Sequence, residues 1–216
     1  MGVGSPGWRA TIRRSGTPTD FTEEPALLVS GRTYQIADSA KQVWDRNTPV
    51  TVKDNGVEVA PDDIEFVDYL FGKVTFASSY TPTGPITVSG KYLPMLTVAG
   101  ANSYTLNQTV DVLDDTDFEH AKSTGYRSRV AGLHDISLTV SRWDDMTKHF
   151  FEAASNGEAV VAEVTPGGGT IRFRGFMLVE TANRSGDVAS LESEEVTLTL
   201  DGDGAGKAFS WDLATA

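Results

Sequence analysis

Cysteine is absent from this 216-residue chain. Its absence excludes disulfides and thiolate metal sites. Histidine is scarce, with only His120, His134 and His149. No two of them stand at i, i+4 and there is no HExxH, so a zinc site would need all three brought together by the fold. No apolar run is long enough to span a bilayer. The start, "MGVGSPGWRATIRR", has no apolar core of a secretory signal. Its Met-Gly fails as a myristoylation motif because Pro6 stands where Ser or Thr is needed. The expectation is a soluble chain without a membrane anchor, made in a reducing compartment. Positive charge is also short: 18 Lys and Arg against 30 Asp and Glu, a net charge of −12 and a pI near 4.6. Such a surface repels phosphates, which disfavours sequence-specific DNA binding. A passage through which DNA slides would gain from the same repulsion.

What the sequence has in quantity is short alternating runs. "WRATIRR" (8–14) places Trp8, Ala10 and Ile12 on one face and reads as a strand. "SGTPTDFTEEP" reads as a turn-rich loop. Residues 33–92 form a block of β signals. "DSAKQVWDRN" reads as one helical turn capped by Asp38. Asn55-Gly56 between alternating runs is a hairpin signal, and Phe71-Gly72 repeats the arrangement. Connections this short call for successive antiparallel hairpins. "MLTVAGANSYTLNQTVDVL" (95–113) reads as a strand pair turning at Gly100 to Ser103, and 114–128 as a long polar connection. Residues 130–143 form a long strand with Ile136, Leu138 and Val140 on one side. A helix over 144–157 follows, with Trp143, Met146 and Phe150 at helical spacing, Asp144 or Asp145 as cap and Gly157 as stop. A hairpin turning at Pro166 to Gly169 and a last strand before Asp201-Gly202 complete the pattern. The fold class expected is mainly β, an antiparallel sandwich or barrel with one flanking helix.

Catalytic motifs find little support. In "DVLDDTDFEH" (111–120) the acids Asp111, Asp114, Asp115, Asp117 and Glu119 lack the spacing and central glycine of an EF-hand loop. A metal-dependent hydrolase using Asp114, Asp117 and His120 stays open as an alternative, while a solvated or interface loop is favoured. "GDGAGK" (202–207) lacks the spacer and the Ser or Thr of a phosphate loop. "PGGG" (166–169) leads into a strand rather than a helix, so both read as turns. No enzyme activity, cofactor or metal is therefore expected. The arginines fall in pairs: Arg13 and Arg14, Arg127 and Arg129, Arg172 and Arg174. Two readings stand side by side: solvated strand faces, or contacts to acidic surfaces of a second copy. A carbohydrate- or receptor-binding sandwich using Trp8, Trp44, Trp143 and Trp211 is a further alternative.

One resemblance covers much of the chain, best over 95–202. Thr116 and Phe118 precede a loop. Gly132, Leu133 and Asp135 lead into the long strand, and Trp143 to Asp145 precede the helix. Leu200 to Gly202 end the last strand, and Trp8 to Arg14 resemble a first strand. In these features the sequence resembles the major tail tube proteins of long-tailed, siphovirus-type bacteriophages. The resemblance implies a virion structural protein, assembled in the host cytoplasm, that self-assembles into stacked hexameric rings. Inner strands of all copies would line a hollow lumen. That lumen would hold the tape measure protein and later conduct double-stranded DNA during ejection. Tail terminator and tail tip proteins would be further partners. Residues 1–30 and 92–216 would form the tube core with terminal arms, and 31–91 a β-rich insertion or an elaboration that supplies core strands. Contacts between copies are expected at Asp114, Asp115, Asp117, Glu119, Arg127, Arg129, Arg13, Arg14 and Trp211.

Overall fold

The computed structural model describes residues 10–115, 126–143, 150–167, 171–188, 191–202, 204 and 206–213. All strand pairs are antiparallel, and they form two sheets. The N-terminal sheet holds β2 (Thr19–Ser30), β3 (Thr33–Ile36), β4 (Thr51–Asp54), β5 (Val57–Glu58), β6 (Ile64–Asp68), β7 (Lys73–Phe76) and β8 (Ile86–Tyr92). Its order is β5-β4-β8-β2-β3-β7-β6. The second sheet holds β1 (Thr11–Ser15), β9 (Met95–Thr97), β10 (Ala101–Asp114), β11 (Arg129–Trp143), β12 (Val160–Thr165), β13 (Ile171–Ser185), β14 (Ser193–Leu200) and β15 (Phe209–Leu213). Its order is β10-β11-β14-β13-β12-β1-β9, with β15 also paired to β13. One α-helix, α1 (Phe151–Asn156), is present among the described residues.

The short-range signals correspond to real turns. Asn55 and Gly56 both have positive φ, at 50° and 81°, which is the backbone a two-residue hairpin turn needs. Asp38 caps the 3-10 turn Ser39–Lys41 by accepting from the Ala40 N–H at 3.0 Å. Gly72 has φ 61°, and a Cβ there would lie 2.8 Å from the Gln42 carbonyl oxygen, so only glycine fits the β6–β7 turn. Gly157, at φ 64°, ends α1 as expected.

Several expectations fail. The supposed loop after β1 is the central strand β2 of the N-terminal sheet. Phe21 and Ala26 are buried on either side of a bulge at which Glu23 takes φ 52°. The bulge absorbs the Glu-Glu-Pro run, and burial of the flanking apolar residues outweighs its turn propensity. β8 returns between β4 and β2, so the block is not a simple run of hairpins. β9 and β10 do not pair. They are opposite edges of one sheet, joined across Gly100. Trp143 ends β11 with 47% exposure rather than packing as a helix residue. Asp144, Asp145 and Met146 lie outside the described residues, as does the "PGGG" segment beyond Gly167.

Each sheet has its own core. The first gathers Phe21, Trp44, Leu70, Phe71 and Phe76 and extends to Val161 and Phe176 of the second sheet. The second gathers Ile136, Leu138, Val140, Phe150, Phe173 and Leu198. Between them lies a polar layer. Arg174 donates through Nε to Glu163 at 2.7 Å and through Nη1 to the Leu70 carbonyl at 2.7 Å. Arg46 pairs with Asp201, and Lys73 with Asp212.

Two buried aspartates of the N-terminal sheet respond to pH in opposite senses. Asp54 accepts from the Thr83 and Gly84 N–H groups, both at 2.8 Å, and from the Tyr80 and Thr83 hydroxyls. Burial pushes its carboxyl up, but these donors more than offset that and hold it below its ordinary value. Its stabilisation is present above the unfolded-state pKa and is lost as pH falls through the lower folded value. Burial raises Asp68, and its bonds from the Leu70 and Phe71 N–H groups offset this only in part. Its favourable contribution is therefore lost as pH rises through the folded value. Asp54→Ala is expected to cost about 2 kcal/mol, since two backbone donors lose their acceptor. Urea midpoints measured from pH 3 to pH 7 check this. The acid-sensitive part of the wild-type curve should be smaller in the variant.

Candidate functional site

The second sheet contains a four-strand block, β10-β11-β14-β13, whose registers define its two faces. One face carries the rungs Leu106–Leu138–Leu198–Val179 and Tyr104–Val140–Val196–Ala182, and it packs into the core. The other carries Thr105–Thr139–Thr197–Thr181, Asn107–Ser137–Thr199–Leu178 and Ser103–Ser141–Glu195–Asn183. These positions are exposed or half-buried. They hold hydroxyls, amides, one acid and one leucine, and Asp135 opposite Thr109 extends them. No lysine or arginine stands on these rungs. The block therefore presents a hydroxyl-rich face with negative charge and no cation.

Both flanks of the block are open among the described residues. β10 pairs with β11 alone. β13 pairs with β12 only up to Met177, opposite Val160, and with β15 only up to Gly175. Residues 178–185 of β13 thus have β14 on one side and no strand paired on the other among the described residues. Such edges are ready templates for another strand.

The β10–β11 hairpin also projects beyond the block. β14 reaches β11 only as far as Ser137, whereas β10 and β11 stay paired out to Asp114 opposite Arg129. This two-stranded arm exposes Val112, Leu113, Val130 and Leu133, the last at 81%. An isolated two-stranded ribbon is marginal in water, and exposed apolar side chains on both its faces call for a partner.

The sequence-selected residues divide into two groups. Asp114, Asp115, Arg127 and Arg129 come together at the arm. Arg127 lies 3.6 Å from Asp114, and the Asp115 N–H donates to the Ser128 carbonyl. The opposite charges at the two ends of the connection therefore face each other within the chain. Asp117, Glu119 and His120 lie outside the described residues, as does Trp8. Arg13, Arg14 and Trp211 sit elsewhere on the second sheet. Arg13 is 3.5 Å from Glu163, Arg14 is 6.0 Å from the Phe150 ring centre, and Trp211 packs at 5.2 Å on Phe173 while staying exposed. Arg172 and Arg174 are neither solvated nor available to a second copy. Both are buried beside Glu163 in the polar layer. Trp44 is wholly buried and cannot line an aromatic platform. Among the described residues no group of three or more potential metal ligands converges.

The hydroxyl face escaped sequence reasoning. Its signal was the run of Ser137, Thr139 and Ser141 with Thr197 and Thr199, but alternation alone does not label which face is open.

No family model and no curated protein matches the chain. Two solved assemblies contain chains of similar fold. One is the tail of an empty gene transfer agent particle with C6 symmetry, at 19% identity and TM-score 0.46, covering 57% of this chain and 87% of that chain. The other is the virion of a native gene transfer agent particle, at 16% identity and TM-score 0.44, covering 56% and 89%.

Proposed function

We propose that this chain is a structural subunit of a phage-type tail tube, with no catalytic role. Copies join side by side into hexameric rings, and rings stack into a hollow tube. The observation that carries this reading is the cation-free hydroxyl face of the four-strand block. Turned inward, it would line a lumen over which a polyanion passes without sticking, because fixed cations that would replace its counterions are absent. The open flanks support the same reading. The strands of the block alternate in direction, so β10 of one copy meets the bare edge of β13 in the next in antiparallel sense. Repeating that head-to-tail contact closes a ring and removes both edges. The tape measure protein and then double-stranded DNA would occupy the lumen. Tail terminator and tail tip proteins would bind the tube ends.

The N-terminal sheet is an insertion into this core in the same reading. Ser15 pairs with Met95, and the Gly16 N–H donates to the Pro94 carbonyl at 2.7 Å. The chain thus leaves and rejoins the second sheet at one point, as an inserted unit does. The pairing of β2 with β3 and β8 supports drawing that insertion wider than 31–91, so that it takes in β2.

Negative-stain microscopy of concentrated protein tests the reading. Rings or hollow tubes are expected, and strictly single particles at every concentration would overturn it. Thr139→Lys with Thr197→Lys should still assemble but retain duplex DNA at about 50 mM salt and release it near 200 mM. Wild-type tubes should not retain DNA at either concentration. Neutralising Asp114, Asp115 and Asp117 together should impair assembly while leaving the melting temperature of the monomer unchanged. Normal tubes from that variant would show that the cluster is only a solvated surface.

A further inference from the structure

A cleft of about 1010 Å³ opens where β13 leaves β12. Leu96 and Leu178 supply its exposed apolar surface above the buried Val160 and Phe176, and Arg14 and Glu158 stand among its lining residues. Leu96 is 46% exposed and Leu178 36%. The cleft touches the end of β1 and the start of β12, so it lies in the path of any strand laid along β13 beyond Met177.

Strand direction decides what reaches it. A neighbour's β10 running antiparallel to β13 rises in number as β13 falls from Ser185 towards Leu178. From Met177 back, β12 already occupies that edge. The incoming strand must therefore leave the sheet at Val160. Within one copy Asn107 is level with Leu178 through the rung Asn107–Ser137–Thr199–Leu178. The part of β10 that passes this level is the arm.

The surfaces match in chemistry. The arm bears the exposed side chains of Val112, Leu113, Val130 and Leu133. Its acids Asp111, Asp114 and Asp115 would face Arg14, and its Arg127 and Arg129 would face Glu158. We propose that this cleft receives the β10–β11 arm of a neighbouring copy of the same chain. The assignment rests on the tube reading and adds the seat of the arm. Burying the arm there would cover apolar surface that neither element covers within its own chain.

The test uses the absence of native cysteine. In Val112→Cys with Leu96→Cys the introduced thiols are the only ones in the chain. Mild oxidation of assembled particles should give a ladder of covalent multimers on a non-reducing gel, and unassembled protein should remain monomeric. Val112→Cys with Val57→Cys, which places the second thiol on the far edge of the N-terminal sheet, should give none. Particles of normal appearance without a ladder, or equal ladders from both pairs, would overturn the assignment and leave the tube reading standing. Failure of the wild-type chain to assemble at all would overturn both. Leu96→Glu provides a second readout that does not depend on the thiols. It should raise the protein concentration needed for assembly about tenfold with an unchanged monomer melting temperature. An unchanged concentration would count against the cleft.

Discussion

Arg142→Ala is expected to destabilise the folded chain by about 3–5 kcal/mol, because it leaves the Glu194 carboxylate buried without its main counter-charge. Both side chains are fully buried, and Arg142 donates through Nε to Glu194 Oε2. Arg142 Nη1 also reaches the Ala99 carbonyl at 3.3 Å, tying β11 to the connection between β9 and β10. The pair sits on the inward face of the four-strand block, one rung beyond the apolar rung Tyr104–Val140–Val196–Ala182. Water cannot take over from the lost partner at that depth. Total domain stability is about 5–15 kcal/mol, so a loss of this size leaves little folded protein in mild denaturant. Urea denaturation of both single variants and the double variant Arg142→Met/Glu194→Leu checks the argument. The double variant should recover most of the loss, since apolar residues of similar volume remove the stranded charge. Additive losses would show that the two groups do not depend on each other.

Glu163→Ala should be comparably damaging, with a different signature. Glu163 is buried among three guanidinium groups: Arg174 at 2.7 Å, Arg13 at 3.5 Å and Arg172 at 3.8 Å. Burial pulls Arg174 below its ordinary pKa, and the carboxylate of Glu163 opposes that pull. Without Glu163 the arginines repel one another in a poorly solvated layer. The expected cost is again about 3–5 kcal/mol. Arg174 also bonds to the Leu70 carbonyl and lies 4.8 Å from the Phe71 ring centre, so the damage should spread to the seam between the sheets. Hydrogen exchange should show faster opening at 69–72 in the variant than in wild type. Glu163→Gln keeps an acceptor for Arg174 Nε and should lose less. If exchange at the seam does not change, Arg174 does not transmit the effect.

Much of the local structure was legible because its causes are local. Asn55-Gly56 takes the left-handed backbone of a tight hairpin wherever it occurs, and Asp38 caps its turn through a bond two residues away. Alternation along 136–141 identified a strand with two faces, and burial of Ile136, Leu138 and Val140 agrees with it. Where local preference competed with packing, the sequence misled. Phe21 and Ala26 draw a turn-like stretch into the middle of a sheet, and a bulge absorbs the mismatch. Arg172 and Arg174 alternate with core residues and resemble a solvated face, yet a second sheet covers that face and Glu163 lies beneath it.

By itself the sequence determined the class: antiparallel β, strongly acidic, without cysteine and with little catalytic chemistry. Composition and period-two alternation are sufficient for that, because each is a property of single residues and near neighbours. Only the tertiary structure decided which strands lie together, which face of β10-β11-β14-β13 stays open and which edges are bare. Those properties depend on pairings between residues as far apart as Thr105 and Thr181, linked through Thr139 and Thr197. A shift of one residue in any of these registers would exchange the hydroxyl face for the apolar one. The acidic stretch shows the same division. Its charge is a property of the sequence, but its place at the outer end of an exposed arm depends on β10 and β11 staying paired beyond the reach of β14.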